Sequence, residues 1–346
     1  MTTRILINRA GPMRAHMIDM LRNNPDGEDV VIHASRRPGS HSYALKVADV
    51  ATHEPDDDAS DEEYGEWAVQ YCRDNGIDVL FPTSRMTILA DRADEFAAVG
   101  TELMCAADAK TSIITDSKCD TYEMMQNLGI NVPPFYRVRS FDEFRDAVWS
   151  LERNGYVPTV KTDTGWSADS FRIIRMMRSN GFDSSLLFDL LGPVTNHVHV
   201  DDYISAMAQA SEIPELIVMP YLDDPEISVD VLSDRDGNPI SAVSRRKEGN
   251  LRIFSGNETE VEMACHIADK VGLRYISNIQ FRQFEGKPVL LEINTRAAAG
   301  IFHSAVTGAN LPWEAVRIAS GMAPREVKMD TSVAARIYQN VRVVGE

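Results

Sequence analysis

Gln280, Glu292 and Asn294 are three oxygen-bearing residues spaced so that one cation could be shared among them. They lie in the stretch NIQFRQFEGKPVLLEINTRAAAG, from Asn278 to Gly300. Two strand-type runs, Ile276 to Phe284 and Pro288 to Ile293, flank Glu285, Gly286 and Lys287, a short Gly-containing loop of the kind that closes a hairpin. If the register is symmetric about Gly286, Gln280 faces Glu292 and Asn278 faces Asn294. Strand alternation then puts Glu292 and Asn294 on one face, with Gln280 across from Glu292, about 5 Å between Cβ atoms. Mg²⁺ takes such oxygens, one or two from carboxylates and the rest from water and phosphate. An exposed hairpin face carries the same residue types. The apolar run Val289 to Leu291 that leads into the set, and Thr295, Arg296 and the small-residue turn to Gly300 that follow it, favour a metal–phosphate site. A guanidinium fork matches phosphate oxygens.

The run LLEINTR, with NIQFR before it, resembles the metal-binding end of ATP-grasp enzymes, especially the branch related to the large subunit of carbamoyl-phosphate synthase. The other parts of such a site should then be found upstream, in a fixed order.

The elements that must position them begin at the N-terminus. Arg4 to Asn8 reads as a short buried strand; Gly11 follows, then a helical pattern through Met13, Met17, Met20 and Leu21, then a second strand at Val30 to His33. This is the start of a βαβ domain. Its turn has one glycine where a dinucleotide fingerprint needs three, so NAD binding finds little support. The acidic run Glu54 to Glu63 enters a helix through a capping box, Ser60 with Glu63, and Gly76 stops that helix. A strand at Ile77 to Phe81, a helix through Ile88, Ala90 and Phe96, and a strand near Leu103 complete a parallel sheet of four or five strands.

Beyond it, Asp116 and Ser117 begin a helix with Lys118 in its first turn, where positive charge opposes the dipole unless an anion is present. The stretch DSKCDTYEMMQNLGINVPPF resembles the ATP-grasp segment that carries the first phosphate-binding lysine. Ser140 and Glu143 cap another helix, to about Arg153. Tyr156 to Val160 is a strand that delivers Lys161, followed by TDTGWSADSFRII, a turn between two strands. Loops that cover phosphates are rich in glycine so that N–H groups can approach closely. Here only Gly165 remains, with Ser167, Ala168 and Ser170 as small stand-ins, a departure from the family pattern. In NHVHVDD, His197, His199 and Asp201 alternate and would share a strand face; an exposed strand is the reading favoured over a metal cluster.

Leu216 to Met219 is a buried strand, and Pro220 takes the chain out of the sheet. The resemblance implies that Met219, Pro220, Tyr221 and Leu222 read adenine through backbone groups, the Pro220 carbonyl and the Leu222 N–H among them, and that Glu226 binds the ribose hydroxyls. A hairpin from Glu226 to Ser244 turns around Asp234 to Asn238 and ends in Arg245, Arg246 and Lys247, with Arg252 close behind, a cradle for the γ-phosphate or a carboxylate. Asn257 to Val271 is an amphipathic helix, and TGANLPWEAVRIASG a final one.

Composition bounds the partners. The 346 residues carry 35 Lys and Arg against 52 Asp and Glu, a net charge of −17, so the surface as a whole repels nucleic acid and anionic lipid. No apolar run suits a secretory core or a membrane span, and a cytoplasmic protein is expected. Cys72, Cys105, Cys119 and Cys265 are widely spaced, as reduced structural thiols are.

The resulting expectation is a mixed α/β chain of ATP-grasp fold: a Rossmann-like N-terminal domain over residues 1–110, then an ATP-grasp domain over 111–346 with a lid at about 155–220. The resemblance implies ATP and Mg²⁺ (or Mn²⁺) as cofactors, with Gln280, Glu292 and Asn294 on the metal. Lys118, Lys161 and Ser167 would hold the phosphates, and Arg296, Arg245 and Lys161 the reacting groups. A ligase that joins a carboxylate to an amine through an acyl phosphate leads. A carbamoyl-phosphate synthase-like enzyme acting on bicarbonate or carbamate, a small-molecule kinase and a catalytically weak ATP-binding module stay open, as does a homodimer. The substrate pocket is expected to draw on Asn8, Arg9 and the turn Pro82 to Arg85.

Overall fold

The computed structural model describes residues 2–165, 170–176, 196–256 and 258–337. Three sheets follow one another along the chain. The first is built from β1 (Thr3–Ile7), β2 (Val30–Arg36), β3 (Val50–His53), β4 (Val79–Phe81) and β5 (Glu102–Leu103), in the order β3-β2-β1-β4-β5 with every pair parallel. The second contains β6 (Tyr136–Val138), β7 (Pro158–Thr162), β8 (Arg172–Arg175), β9 (His197–His199) and β10 (Leu216–Pro220), ordered β6-β10-β7-β8-β9. The third contains β11 (Asp223–Ser233), β12 (Pro239–Glu248), β13 (Leu251–Ser255), β14 (Tyr275–Phe284), β15 (Lys287–Asn294) and β16 (Ala334–Arg336), ordered β15-β14-β11-β12-β13-β16. Seven helices of nine or more described residues accompany them: α1 (Arg14–Arg22), α2 (Asp61–Asn75), α3 (Lys118–Asn127), α4 (Phe141–Arg153), α5 (Val200–Gln209), α6 (Thr259–Val271) and α7 (Leu311–Ala319).

The chain divides into two compact units. One holds residues 1–115, 225–281 and 291–346; the other holds 116–224 and 282–290. In the first, Ile5, Ile7, Ile32 and Phe81 of the parallel sheet share one core with Leu232, Val243, Phe254, Trp313 and Val316. A second core packs Tyr64, Val69, Cys72, Leu80 and Phe96. The other unit has its own core of Val138, Phe144, Val148, Leu151, Val160, Leu216 and Val218. The unbroken apolar runs Ile5-Leu6-Ile7 on β1 and Val79-Leu80-Phe81 on β4 are buried because a parallel sheet is covered on both faces.

Local chemistry sets the ends of these elements. The Ser60 hydroxyl accepts from the Glu63 N–H at 3.2 Å while the Glu63 carboxylate accepts from the Ser60 N–H at 2.8 Å, a complete capping box on α2. Gly76 closes that helix at φ 58°, a left-handed conformation that costs glycine nothing. Between β11 and β12, Asp234 Oδ1 accepts from the N–H groups of Asp236 and Asn238 at 2.9 and 2.8 Å, an Asx-type turn.

One sequence expectation is overturned here. His197 and His199 lie on β9, but Val200 already begins α5, so Asp201 is a helical residue and not a third strand position. His199 caps α5 by accepting from the Asp201 N–H at 3.2 Å. Strand alternation therefore does not bring the three side chains onto one face. Residues 177–195 of the expected lid lie outside the described residues, as does Ser167.

Candidate active site

In the first unit, β14 and β15 are neighbours in the sheet and carry the three expected metal ligands. Asn294 Nδ2 donates to Glu292 Oε1 at 2.9 Å, so these two side chains share a face of β15. Gln280 Nε2 donates to Asn278 Oδ1 at 3.0 Å, so that pair shares a face of β14. In both, the amide nitrogen is the atom turned to protein. Among the described residues no hydrogen bond engages Gln280 Oε1, Asn294 Oδ1 or Glu292 Oε2. One carboxylate oxygen and two amide oxygens suit a hard cation that keeps water or phosphate on its remaining positions, and the donor set fits Mg²⁺. Among the described residues no group of three His, Cys, Asp or Glu could hold a metal, so a thiolate or imidazole centre has no support there.

Next to Gln280 on that face of β14, Asn278 joins a buried polar knot that sequence reasoning missed. Asp230, fully buried on β11, accepts from Arg245 Nε at 2.9 Å and Nη2 at 3.1 Å, from Asn278 Nδ2 at 2.8 Å and from Ser304 Oγ at 3.0 Å. Ser228 Oγ receives both Arg245 Nη2 at 3.1 Å and Asn278 Nδ2 at 2.8 Å. Arg245 is 6% exposed. Its fork is thus held by a carboxylate on the neighbouring strand, and its Nη1 lies toward Gly300, where an added Cβ would come within 3.0 Å. A two-residue alternation, Ser228 and Asp230, was the only signal in the sequence; nothing local says that Arg245 crosses to them.

His303 completes the group. An added Gly300 Cβ would meet its Nδ1 at 3.0 Å, and both ring nitrogens are buried without a hydrogen-bond partner among the described residues. Burial, then the charges of Arg245 and Arg252, hold its pKa down to about 4, with Asp230 acting the other way. The folded state therefore binds fewer protons than the unfolded one between pH 4 and the ordinary histidine value near 6.5. Stability is expected to fall as pH drops through that window, and His303→Gln to flatten this part of the profile in denaturant melts at stepped pH. An unchanged slope in the variant would show that the imidazole does not stay neutral in the fold.

The expected pocket residues of the N-terminal domain are engaged within the domain itself. Asn8 donates to Tyr64 Oη at 2.9 Å and to the Ser84 carbonyl at 2.8 Å, and its Oδ1 accepts from the Thr83 N–H at 2.7 Å. Arg9 sits at φ 48° with its N–H on Glu54 at 2.6 Å and its guanidinium 2.8 Å from Glu54 and 2.6 Å from Asp57. Glu226 is 3.9 Å from the Lys247 ammonium.

In the second unit, Ser117 caps α3 by accepting from the Asp120 N–H at 3.0 Å, and Lys118 follows at the first helical position. Its ammonium donates to the Asp163 carbonyl at 2.8 Å and to the Gly165 carbonyl at 3.3 Å. Lys161 stands on β7 two residues before Asp163, with no hydrogen bond or ion pair of its side chain among the described residues. Both lysines thus belong to the entry of one loop, Lys118 through its bonds to Asp163 and Gly165 and Lys161 through its place on the strand that leads into it. Asp163 organises this entry: its carboxylate accepts from Ser117 Oγ at 2.6 Å and from the Cys119 N–H at 2.7 Å. Those bonds hold its pKa below the usual carboxylate range against its burial, as expected for an acid at a helix N-terminus. The far end is pinned where Thr162 meets Ser170 Oγ at 2.8 Å.

On β10, Met219 offers its carbonyl to Thr159 Oγ1 at 2.9 Å, and the Tyr221 N–H donates to the Val157 carbonyl at 2.8 Å. The Leu222 N–H has no partner among the described residues, although Leu222 is 4% exposed. The Leu222 carbonyl accepts from Arg282 Nη1 at 2.8 Å. A buried backbone donor left open near a proline is where a heteroaromatic ring nitrogen could be read.

Over residues 212–342 the chain matches a family model described as ATP-grasp in the biosynthetic pathway with Ter operon. It is 28% identical over 134 residues to the carbamoyl phosphate synthase large chain of Clostridium perfringens (strain 13 / Type A), a stretch that is 34% of this chain and 12% of that protein. The corresponding protein of Thermoanaerobacter pseudethanolicus is 27% identical over 142 residues, 36% of this chain and 13% of that one. The match thus spans only a small part of these relatives' length. Among solved structures, the biotin carboxylase domain of Hydrogenobacter thermophilus 2-oxoglutarate carboxylase, in complex with MgADP, ADP and bicarbonate, superposes with a TM-score of 0.64 at 17% identity, covering 94% of this chain and 71% of that one. The ADP complex of purK, N5-carboxyaminoimidazole ribonucleotide synthetase, gives 0.62 at 15% identity, covering 95% and 79%. At such identities the likeness is one of fold.

Proposed function

For a chain of ATP-grasp fold whose C-terminal segment matches an ATP-grasp family model, we propose an ATP- and Mg²⁺-dependent ligase that activates a carboxylate as an acyl phosphate and couples it to an amine. The observation that carries this reading is the end of β15, where Glu292 and Asn294 share a face and a guanidinium, Arg296, follows two residues later. Attack of a carboxylate on a phosphate brings two anions together. At about 4 Å, unit charges repel by roughly 4 kcal/mol at an effective dielectric near 20. A bound divalent ion would supply neutralisation of that charge on the transferring phosphoryl group. In this reading Glu292, Asn294 and Gln280 hold it, Lys118 and Lys161 bind the α- and β-phosphates, and Arg296 steadies the phosphoryl group or the acyl phosphate. Arg245, fixed by Asp230, presents a positive charge that cannot swing away. Pro220 and Leu222 offer the adenine a carbonyl and an N–H, and Glu226 the ribose an acceptor. Catalysis is then positioning and electrostatics.

A second reading keeps the site and replaces the acid with bicarbonate or carbamate. It is supported by the likeness to carbamoyl phosphate synthase large chains and to a carboxylase domain solved with bicarbonate. Four cysteines without a disulfide, and no helix among the described residues long and apolar enough to cross a membrane, support a cytoplasmic setting. The neighbour solved as a domain dimer supports a homodimer.

Incubation with Mg·ATP, a panel of acids and hydroxylamine tests the ligase. Acid-dependent hydroxamate with ADP is expected. Bicarbonate-dependent ADP release without hydroxamate selects the second reading. A stable phosphorylated acid or alcohol points to a kinase, and tight ATP binding without turnover to a binding module; either result overturns the ligase.

A further inference from the structure

Asn278 is fully buried on β14, and the groups around its amide decide which way that amide points. Its Nδ2 lies 2.8 Å from Asp230 Oδ1, 2.8 Å from Ser228 Oγ and 3.3 Å from the Val229 carbonyl. A carboxylate paired with a guanidinium, as Asp230 is with Arg245, only accepts, and so does a backbone carbonyl. The nitrogen of Asn278 must therefore be the atom on that side. Its Oδ1 is turned along the strand to Gln280, two residues on, and accepts from Gln280 Nε2 at 3.0 Å.

An amide oxygen cannot donate, so the same logic fixes the second amide. Gln280 keeps its nitrogen on Asn278, and its Oε1 is left on the other side, with no hydrogen bond among the described residues. The oxygen and nitrogen of an amide have nearly the same shape, yet only one of them can meet a cation. Oε1 is a ligand, whereas the NH2 group presents hydrogens that repel a cation. A glutamate would offer an oxygen in either orientation. Partners that hold a ligand from behind commonly change metal affinity by about 10- to 100-fold.

We propose that Asn278 is a positioning residue of the cation site, which turns the Gln280 amide so that its oxygen, and not its nitrogen, faces the metal ion. The orientation starts at Asp230, so one buried carboxylate both answers Arg245 and, through Asn278, sets a metal ligand, all within the first unit. That the ion is the Mg²⁺ of an ATP-dependent reaction rests on the ligase reading; the direction of the amide does not.

Two readouts on the full chain test this, and neither is turnover. In metal-free protein with nitrogen-labelled glutamine, the Gln280 side-chain NH2 signal is identified by its absence in Gln280→Glu. It should exchange with water more slowly than that of the exposed Gln126 and lose that protection in Asn278→Ala. Mn²⁺ binding in the presence of ADP, followed by the electron paramagnetic resonance of the free ion, should weaken about tenfold or more in Asn278→Ala. In a Gln280→Glu background the same substitution should leave Mn²⁺ affinity nearly unchanged, because a carboxylate needs no turning. Equal weakening in both backgrounds would show that Asn278 only supports the fold, and overturns the proposal. A wild-type Gln280 amide that exchanges as fast as that of Gln126 overturns it too, even where Asn278→Ala does not fold. Wild type that binds no Mn²⁺ removes the cation site and the ligase reading with it. The expected pattern without hydroxamate formation leaves Asn278 in its role and removes the ligase.

Discussion

Glu292→Gln is expected to lower Mg²⁺-dependent ADP release by about a thousandfold, the equivalent of roughly 4 kcal/mol in the barrier. Glu292 supplies the only formal charge among the three oxygens that β14 and β15 offer to a cation; Gln280 and Asn294 are neutral amides. The substitution keeps the shape of the side chain and an oxygen to accept from Asn294 Nδ2, which now lies 2.9 Å from Glu292 Oε1. Fold and ATP binding in the absence of metal should therefore change little, while the concentration of Mg²⁺ needed for half-maximal turnover rises. Steady-state ADP release across a magnesium titration separates the two effects. A variant that keeps more than a tenth of wild-type turnover at every magnesium concentration would remove Glu292 from the metal site.

Asp230→Ala is expected to cost about 3–5 kcal/mol of stability, the usual loss when one partner of a buried ion pair is removed. The size follows from what is left behind. Arg245, 6% exposed, would keep its charge with no carboxylate in reach, and the donors of Asn278 and Ser304 would lose a common acceptor. Strands β11, β12 and β14 and the 3₁₀ turn Ile301–Thr307 all meet at this one carboxylate. Because the chain has two compact units, a single melting transition is a poor measure, and amide exchange along β11, β12 and β14 reads the loss where it arises. The double variant Asp230→Ala with Arg245→Met should recover at least half of it, since no charge is then stranded. A loss below about 1 kcal/mol would mean that water reaches Arg245 and that the knot is not dry.

Much of the fold was legible because its signals are local. A hydroxyl three residues before an acid, as in Ser60 with Glu63 or Ser140 with Glu143, forms its bonds within one helical turn, and both caps are present. Alternation and a short Gly-containing loop place the β14–β15 hairpin within a residue or so of its reading from sequence. The same logic failed at His197, His199 and Asp201, where a period of two also fits the last strand residues followed by a helix cap.

The residue types at the site, and the order in which Lys118, Lys161, Glu226, Gln280, Glu292, Asn294 and Arg296 occur, were already determined by the sequence. Tertiary structure alone decided which charges are answered. Asp163 at the foot of α3, Asp230 against Arg245, and Arg14 against the Ala298 carbonyl are all pairings across 15 to 284 positions of sequence. Periodicity reports which face of an element is buried, whereas the partner of a buried charge depends on which strands become neighbours. That order, β15-β14-β11-β12, is set by the packing of the whole core and by no short stretch of the chain.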